Sequence, residues 1–126
     1  MLPLITQAVE SLRKAFPDSN VVAEGDGSGG AYVVIERVAL GDKFTPPITW
    51  VGGHVSVQFP YADIYPIFIG AEVRRVSGEP FVAPVTGGHT FRGRAALQVS
   101  RRTNRLDPQL QTAPAKFQKV LYWLTH

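Results

Sequence analysis

Three histidines are the first residues to ask about, because imidazole titrates near neutral pH and ligates metals. His54, His89 and His126 stand far apart, and no two share the close spacing of a metal site. His54 falls on the polar side of an alternating stretch and reads as a surface residue. His89 lies in a glycine-rich segment, "TGGHTFRG", where it could donate a hydrogen bond or act as a base. Ser77, Ser100 and Thr103 have no partner recognisable from spacing, and no serine stands in a glycine-flanked elbow. The glycines of "GDGSGG" are not followed by the Gly-Lys-Ser/Thr of a phosphate loop, so they read as a mobile hairpin tip. Asp63, Glu72 and Glu79 are scattered. Residue types and spacing alone therefore assemble no catalytic constellation.

The strongest chemical signal is charge. The net charge is only +3, but beyond Glu79 the single acid is Asp107, against Arg92, Arg94, Arg101, Arg102, Arg105, Lys116 and Lys119. A basic C-terminal half suits an acidic protein surface or nucleic acid, or it is simply a solvated face. Arg101, Arg102, Asn104 and Arg105 are bunched in "SRRTNR". Unpaired burial of so many like charges would be costly, so these side chains are expected at the surface.

The elements that must position these residues follow from periodicity. A chain of 126 residues without cysteine implies a single domain, 1–126, with one core and no disulfide or thiolate metal site. No apolar run reaches the roughly 20 residues of a membrane span. The opening residues lack the layout of a signal peptide, so a cytoplasmic protein is expected. Leu4, Ile5, Ala8, Val9, Leu12 and Phe16 recur at helical spacing, and Phe117, Val120, Leu121 and Leu124 do the same near the end. Between them, "NVVAEG", "AYVVIERVAL", "HVSVQFP" and "IFIGAEVRRV" read as strands, "HVSVQFP" the most cleanly alternating. "GDKFTPPI" reads as a loop because of its two prolines, and "SGEPFVAPVTGGHTFRG" as a long irregular segment. The expected fold class is α+β: an N-terminal helix, a four-stranded antiparallel meander, a long active-site-type loop and a C-terminal helix.

Three stretches resemble the ubiquitin-conjugating enzyme (UBC-like) fold family. Phe59-Pro60, then Tyr65-Pro66 and the strand from Ile67, match that family's third and fourth strands in order and character. Gly93, Arg94, Ala95, Ala96 and Leu97 match its glycine, two residues, active cysteine and leucine, with alanine at the cysteine position. Leu106, Asp107 and Pro108 fill the slot of its tryptophan-x-proline before the second helix. The resemblance covers nearly the whole chain, lacks the family's last two helices and lacks its histidine-proline-asparagine. Divergent bacterial members are the nearer analogy.

The resemblance implies a protein of a bacterial ubiquitin-like modification pathway that carries or binds a ubiquitin-like protein received from an activating enzyme. Ala96 would mark the acceptor position, by engineered substitution or in a natural pseudoenzyme. A methyl group forms no thioester, so the sequence as written cannot run that chemistry. His89, Thr90 and Phe91 would shape the surroundings. Arg101, Arg102, Asn104 and Arg105 would meet the modifier or substrate, and Arg13 and Lys14 the activating enzyme. No cofactor and no metal is implied. The alternative expectation is a basic binding module for an acidic protein partner or nucleic acid, the latter less favoured.

Overall fold

The computed structural model describes residues 1–126, which form two helices and eight strands. Helix α1 spans Pro3–Ala15 and helix α2 spans Ala113–Thr125. The strands are β1 (Asn20–Gly25), β2 (Ala31–Ala39), β3 (Phe44–Thr45), β4 (Ile48–Val55), β5 (Ile67–Gly70), β6 (Arg74–Arg75), β7 (Val85–Phe91) and β8 (Arg94–Val99). Six of them make one antiparallel sheet in the order β1-β2-β4-β5-β8-β7, while β3 and β6 pair separately.

This corrects the expected four-stranded meander. The fold is α+β, but the sheet has six strands because the end of the segment expected to be a long loop is strand β7, which turns at Arg92-Gly93 and pairs with β8. That hairpin adds to the free edge of β5, where Ile67 faces Val99 and Gly70 faces Ala96. An unpaired edge is a ready acceptor for such a hairpin.

The main core lies between one face of this sheet and the two helices. Alternation sends Ala31, Val33 and Ile35 of β2, Val51 and Val55 of β4, and Ile67 and Ile69 of β5 to the helix side. Helix α1 answers with Ile5, Ala8, Val9 and Leu12 and starts with proline at its first position, where no amide donor is missed. Helix α2 answers with Phe117, Val120 and Leu124; the Thr112 hydroxyl caps it by accepting from the Ala115 amide at 3.1 Å.

Strand β4 departs from the sequence reading. It begins at Ile48, directly after Pro46-Pro47, and ends at Val55. The alternating residues beyond it form turns: the Phe59 amide donates to Ser56 O at 2.9 Å and the Tyr61 amide to Gln58 O at 2.8 Å. Phe59 is buried and Val57 exposed, yet neither belongs to a strand. Two glycines in mid-strand have a packing cause. A Cβ on Gly53 would meet Phe117 at 3.0 Å from the helix side, and one on Gly52 would meet Phe91 at 2.6 Å from the other. The strand is squeezed on both faces, and only glycine leaves room.

Candidate functional site

The face of the sheet away from the helices is not bare. Tyr32 and Val34 of β2, Trp50 of β4 and Phe68 of β5 point outward and collect around Phe91 and Ala96 in a second apolar cluster. The reason is the β7–β8 turn. Arg92 and Gly93 both have positive φ, 51° and 79°, as a two-residue turn of this hand requires. The turn carries Phe91 back over Gly52, where it stacks on Phe68 with centroids 4.8 Å apart.

Arginines ring this cluster. The Arg94 guanidinium grips Glu36 through two bonds of 2.9 and 2.6 Å and lies 5.5 Å above the Trp50 ring. The hydrogen bonds from Arg94 hold the Glu36 carboxyl below its usual value, against the opposing effect of burial. Arg92 pairs with Glu24 and covers Tyr32 at 4.5 Å. His54 stacks on Tyr32 at 4.5 Å, and its Nε2 lies 2.7 Å from Asp26 Oδ2. Asp26 also accepts from the amides of Ser28 and Gly30, at 2.8 and 3.0 Å. The His54 bond, then these amides, lower the Asp26 carboxyl. The turn expected to be a mobile tip is thus pinned by one aspartate.

Ala96 is 0% exposed, in the interior of β8. His89 is its cross-strand neighbour, and Phe91 packs beside it, so the structure brings these three expected residues together. The His89 Nε2 lies 2.9 Å from Thr86 Oγ1. Thr90 pairs with Ala95 and points to the other side of the strand. No group of three His, Asp or Glu side chains comes together as metal ligands.

The arginines after β8 are elsewhere. Arg101 is five residues beyond Ala96, about 16 Å along an extended strand. Over that distance solvent screening leaves little of its field at position 96. Arg101 and Arg102 diverge, as adjacent residues of an extended chain must. The Arg101 guanidinium lies 4.5 Å over the Trp123 ring, and that of Arg102 lies 3.9 Å over Tyr65. Asn104 and Arg105 are exposed, and Arg105 has a positive φ of 53°. A cleft of about 310 Å³ lies among Tyr65, Pro84, Ser100, Arg101, Arg102 and Asn104.

Below this cleft is a feature that sequence reasoning missed. Lys116, read as part of the basic surface, is 3% exposed. Its Nζ donates to Asp63 Oδ2 at 3.0 Å, Arg101 O at 2.7 Å and Thr103 Oγ1 at 3.2 Å. Asp63 also accepts from the Thr103 amide and hydroxyl and from Gln111. Burial works to raise the Asp63 carboxyl, but the Thr103 amide and Lys116 outweigh it and the net shift is downward. For Lys116 burial dominates and lowers the ammonium against the pull of Asp63. The one available signal was position: residue 116 falls on the apolar stripe of α2, one turn before Val120.

On α1, Arg13 is paired with Glu10 and donates to Val21 O at 3.2 Å, whereas Lys14 is exposed. Helix α1 packs on the opposite face of the sheet from the Ala96 cluster. No helix is long and apolar enough to cross a membrane. No family model, curated protein or solved structure matches the chain.

Proposed function

We propose that the chain is a binding relative of the UBC-like family that holds a ubiquitin-like protein non-covalently and forms no thioester with it. Position 96 carries this reading. Ala96 is fully enclosed, with Phe91 and Val34 in its cluster. A thioester requires a thiolate that an incoming carbonyl can reach and a second nucleophile can later attack. A sulfur at this position would be shielded from both, and apolar surroundings would hold it as the neutral thiol.

The order of motifs supports the family reading: an amphipathic first helix, Phe59-Pro60 and Tyr65-Pro66 before β5, then Gly93–Leu97, Pro108 and a second helix; the six-stranded sheet, with Arg94–Leu97 inside β8, departs from the family's four-stranded meander. Of the basic second half, Arg92, Arg94 and Lys116 are paired within the chain; Arg101, Arg102, Arg105 and Lys119 remain to support an acidic partner surface, since charge complementarity speeds and orients such encounters. The test has two parts. Ala96→Cys, mixed with a ubiquitin-like protein, its activating enzyme and ATP, should yield no reducible adduct. The unaltered chain, titrated with the same modifier and followed by amide resonances, should bind it. A reducible adduct on the variant would overturn the non-covalent reading. Absence of binding to every modifier drawn from a panel of bacterial ubiquitin-like proteins would overturn the family reading.

A further inference from the structure

The five ion pairs of the molecule engage Arg13, His54, Arg92, Arg94 and Lys116. Arg101 and Arg102 have no acidic partner. Each is instead laid flat on an aromatic ring, Trp123 or Tyr65. Stacking fixes the plane of a guanidinium while leaving its edge donors free. The backbone between them is fixed as well, because buried Lys116 holds Arg101 O and Thr103 Oγ1 while Asp63 holds the Thr103 amide. The cleft these residues border adds the hydroxyl of Ser100 and the amide of Asn104 and contains no carboxylate. A donor-rich hollow with two oriented guanidinium groups suits an oxyanion.

The cleft has an apolar neighbour. A groove of about 860 Å³ runs along Phe44, Val76, Val82, Val85, Trp123 and Leu124. Val76 and Val82 are 61% and 71% exposed there, so their apolar surface is left open to a partner. The two hollows adjoin through Trp123 and Pro84. Trp123 lines the groove and carries Arg101 on its ring, and Pro84 of the cleft sits in sequence between Ala83 and Val85 of the groove.

We propose that groove and cleft form one docking site for a protein segment that bears an oxyanion beside apolar side chains. The oxyanion is a phosphorylated side chain, whose three oxygens match the donors of Arg101, Arg102, Ser100 and Asn104 around the cleft. The apolar side chains cover Val76, Val82 and Trp123. Charge complementarity favours this occupant: Arg101 and Arg102 line a cleft without a carboxylate, and Asp42 of the groove is offset there by Lys43 and Arg75. The groove favours protein over nucleic acid: a nucleotide strand would supply phosphates but no aliphatic side chains for the valines. This site is separate from position 96 and does not rest on the modifier reading.

Inorganic phosphate is the first probe. Titrated into the labelled protein, it should shift the amides of Ser100 to Asn104 saturably, and Arg101→Gln or Arg102→Gln should weaken it about tenfold each, as expected for one charged hydrogen-bonding group. Arg37→Gln, an exposed change of equal charge away from the cleft, should leave phosphate affinity unchanged. The second probe is a set of fluorescent peptides with one apolar stretch followed by phosphoserine, by glutamates or by serines. The phosphoserine peptide should bind about tenfold or more tightly than the serine peptide, and an equal or tighter glutamate peptide would overturn the choice of phosphate. Val82→Asp should weaken the peptides and spare phosphate. Val82 is exposed and both arginines are at the surface, so the variants should fold, which an unchanged amide spectrum elsewhere checks. Equal affinity across the three peptides, insensitivity to both arginine changes, or a single-stranded oligonucleotide displacing the best peptide would each overturn the proposal.

Discussion

Lys116 Nζ and Asp63 Oδ2 meet 3.0 Å apart beneath the surface, joining α2 to the turn before β5. Their side chains are 2% and 13% exposed. Neither could be held in its charged form so far from water unless every donor and acceptor found a partner. They do find them: no buried side-chain nitrogen or oxygen in the molecule lacks a hydrogen bond. The loop that carries Arg101–Thr103 hangs from this pair.

Removing one member leaves the other buried and unpaired. Lys116→Met should therefore destabilise the fold by about 3 kcal/mol, and Asp63→Leu by a similar amount. Replacing both should cost clearly less than the sum, because the double variant buries no lone charge. Urea denaturation of the four proteins measures this coupling. Additive losses would mean that the two groups do not support each other.

The same carboxyl sets an acid limit. Asp63 is lowered in the folded chain, so in the pH range between its folded value and the ordinary aspartate value of about 3.9 the unfolded state binds more protons. Its stabilising contribution is complete above that ordinary value and is lost as pH falls through the folded one. Asp26 and Glu36 are lowered too and act with the same sign. Melting temperature followed downward from neutral pH should fall most steeply below about pH 4. Asp63→Asn should make that acid limb shallower while lowering the plateau. A limb of unchanged slope would remove Asp63 from the account.

What could be read from residues alone was what local periodicity encodes. The stripe from Ile5 to Leu12 and that from Phe117 to Leu124 specify both helices, and β-branched runs specify β1 and β2. Strand β4 was not legible, since Pro46-Pro47 and Gly52-Gly53 carry the marks of a loop. Those glycines answer to Phe91 and Phe117, tens of residues away. Strand β7 was hidden by Gly87-Gly88 for a related reason: its register on β8 shifts between Thr86 and His89, where Gly88 has a φ of 79°. At the candidate site, the bunching of Arg101 and Arg102 was visible, but their stacking on Trp123 and Tyr65 was not. Contacts between distant segments leave no period in the sequence.

Gly52→Ala tests the close approach of Phe91. The added Cβ would meet the ring at 2.6 and 2.8 Å, so something must shift. The expected loss is about 1–3 kcal/mol, typical of overpacking. Phe91→Leu in the same chain should recover part of it by removing the ring edge. If the glycine change is neutral, the hairpin is not pressed against β4 in solution.

Ala96→Cys turns burial into a rate. Its thiol should react with iodoacetamide far more slowly than a free cysteine peptide and become fully reactive in denaturant. Phe91→Ala, which uncovers the cluster, should raise the native rate. Fast labelling in the folded variant would place position 96 at the surface and reopen covalent chemistry there.

The turn that delivers Phe91 rests on two backbone conformations. Arg92 and Gly93 both have positive φ, and Phe91 pairs with Arg94 directly across the turn. Glycine adopts a φ of 79° freely, whereas any residue with a Cβ is strained there. Gly93→Ala should therefore destabilise the protein by about 1 kcal/mol or more. Arg92→Asn tests the neighbouring position with opposing effects. Asparagine tolerates a φ of 51° better than arginine, which favours the turn. The change also removes the ion pair with Glu24 and the guanidinium over Tyr32. That pair is largely solvent-exposed and so contributes little, about 0–1 kcal/mol. The net change for Arg92→Asn should therefore be near zero. Thermal and urea denaturation of both variants separate the two cases: a large loss in Arg92→Asn would show that the side chain over Tyr32, rather than the turn geometry, holds the hairpin down on the sheet.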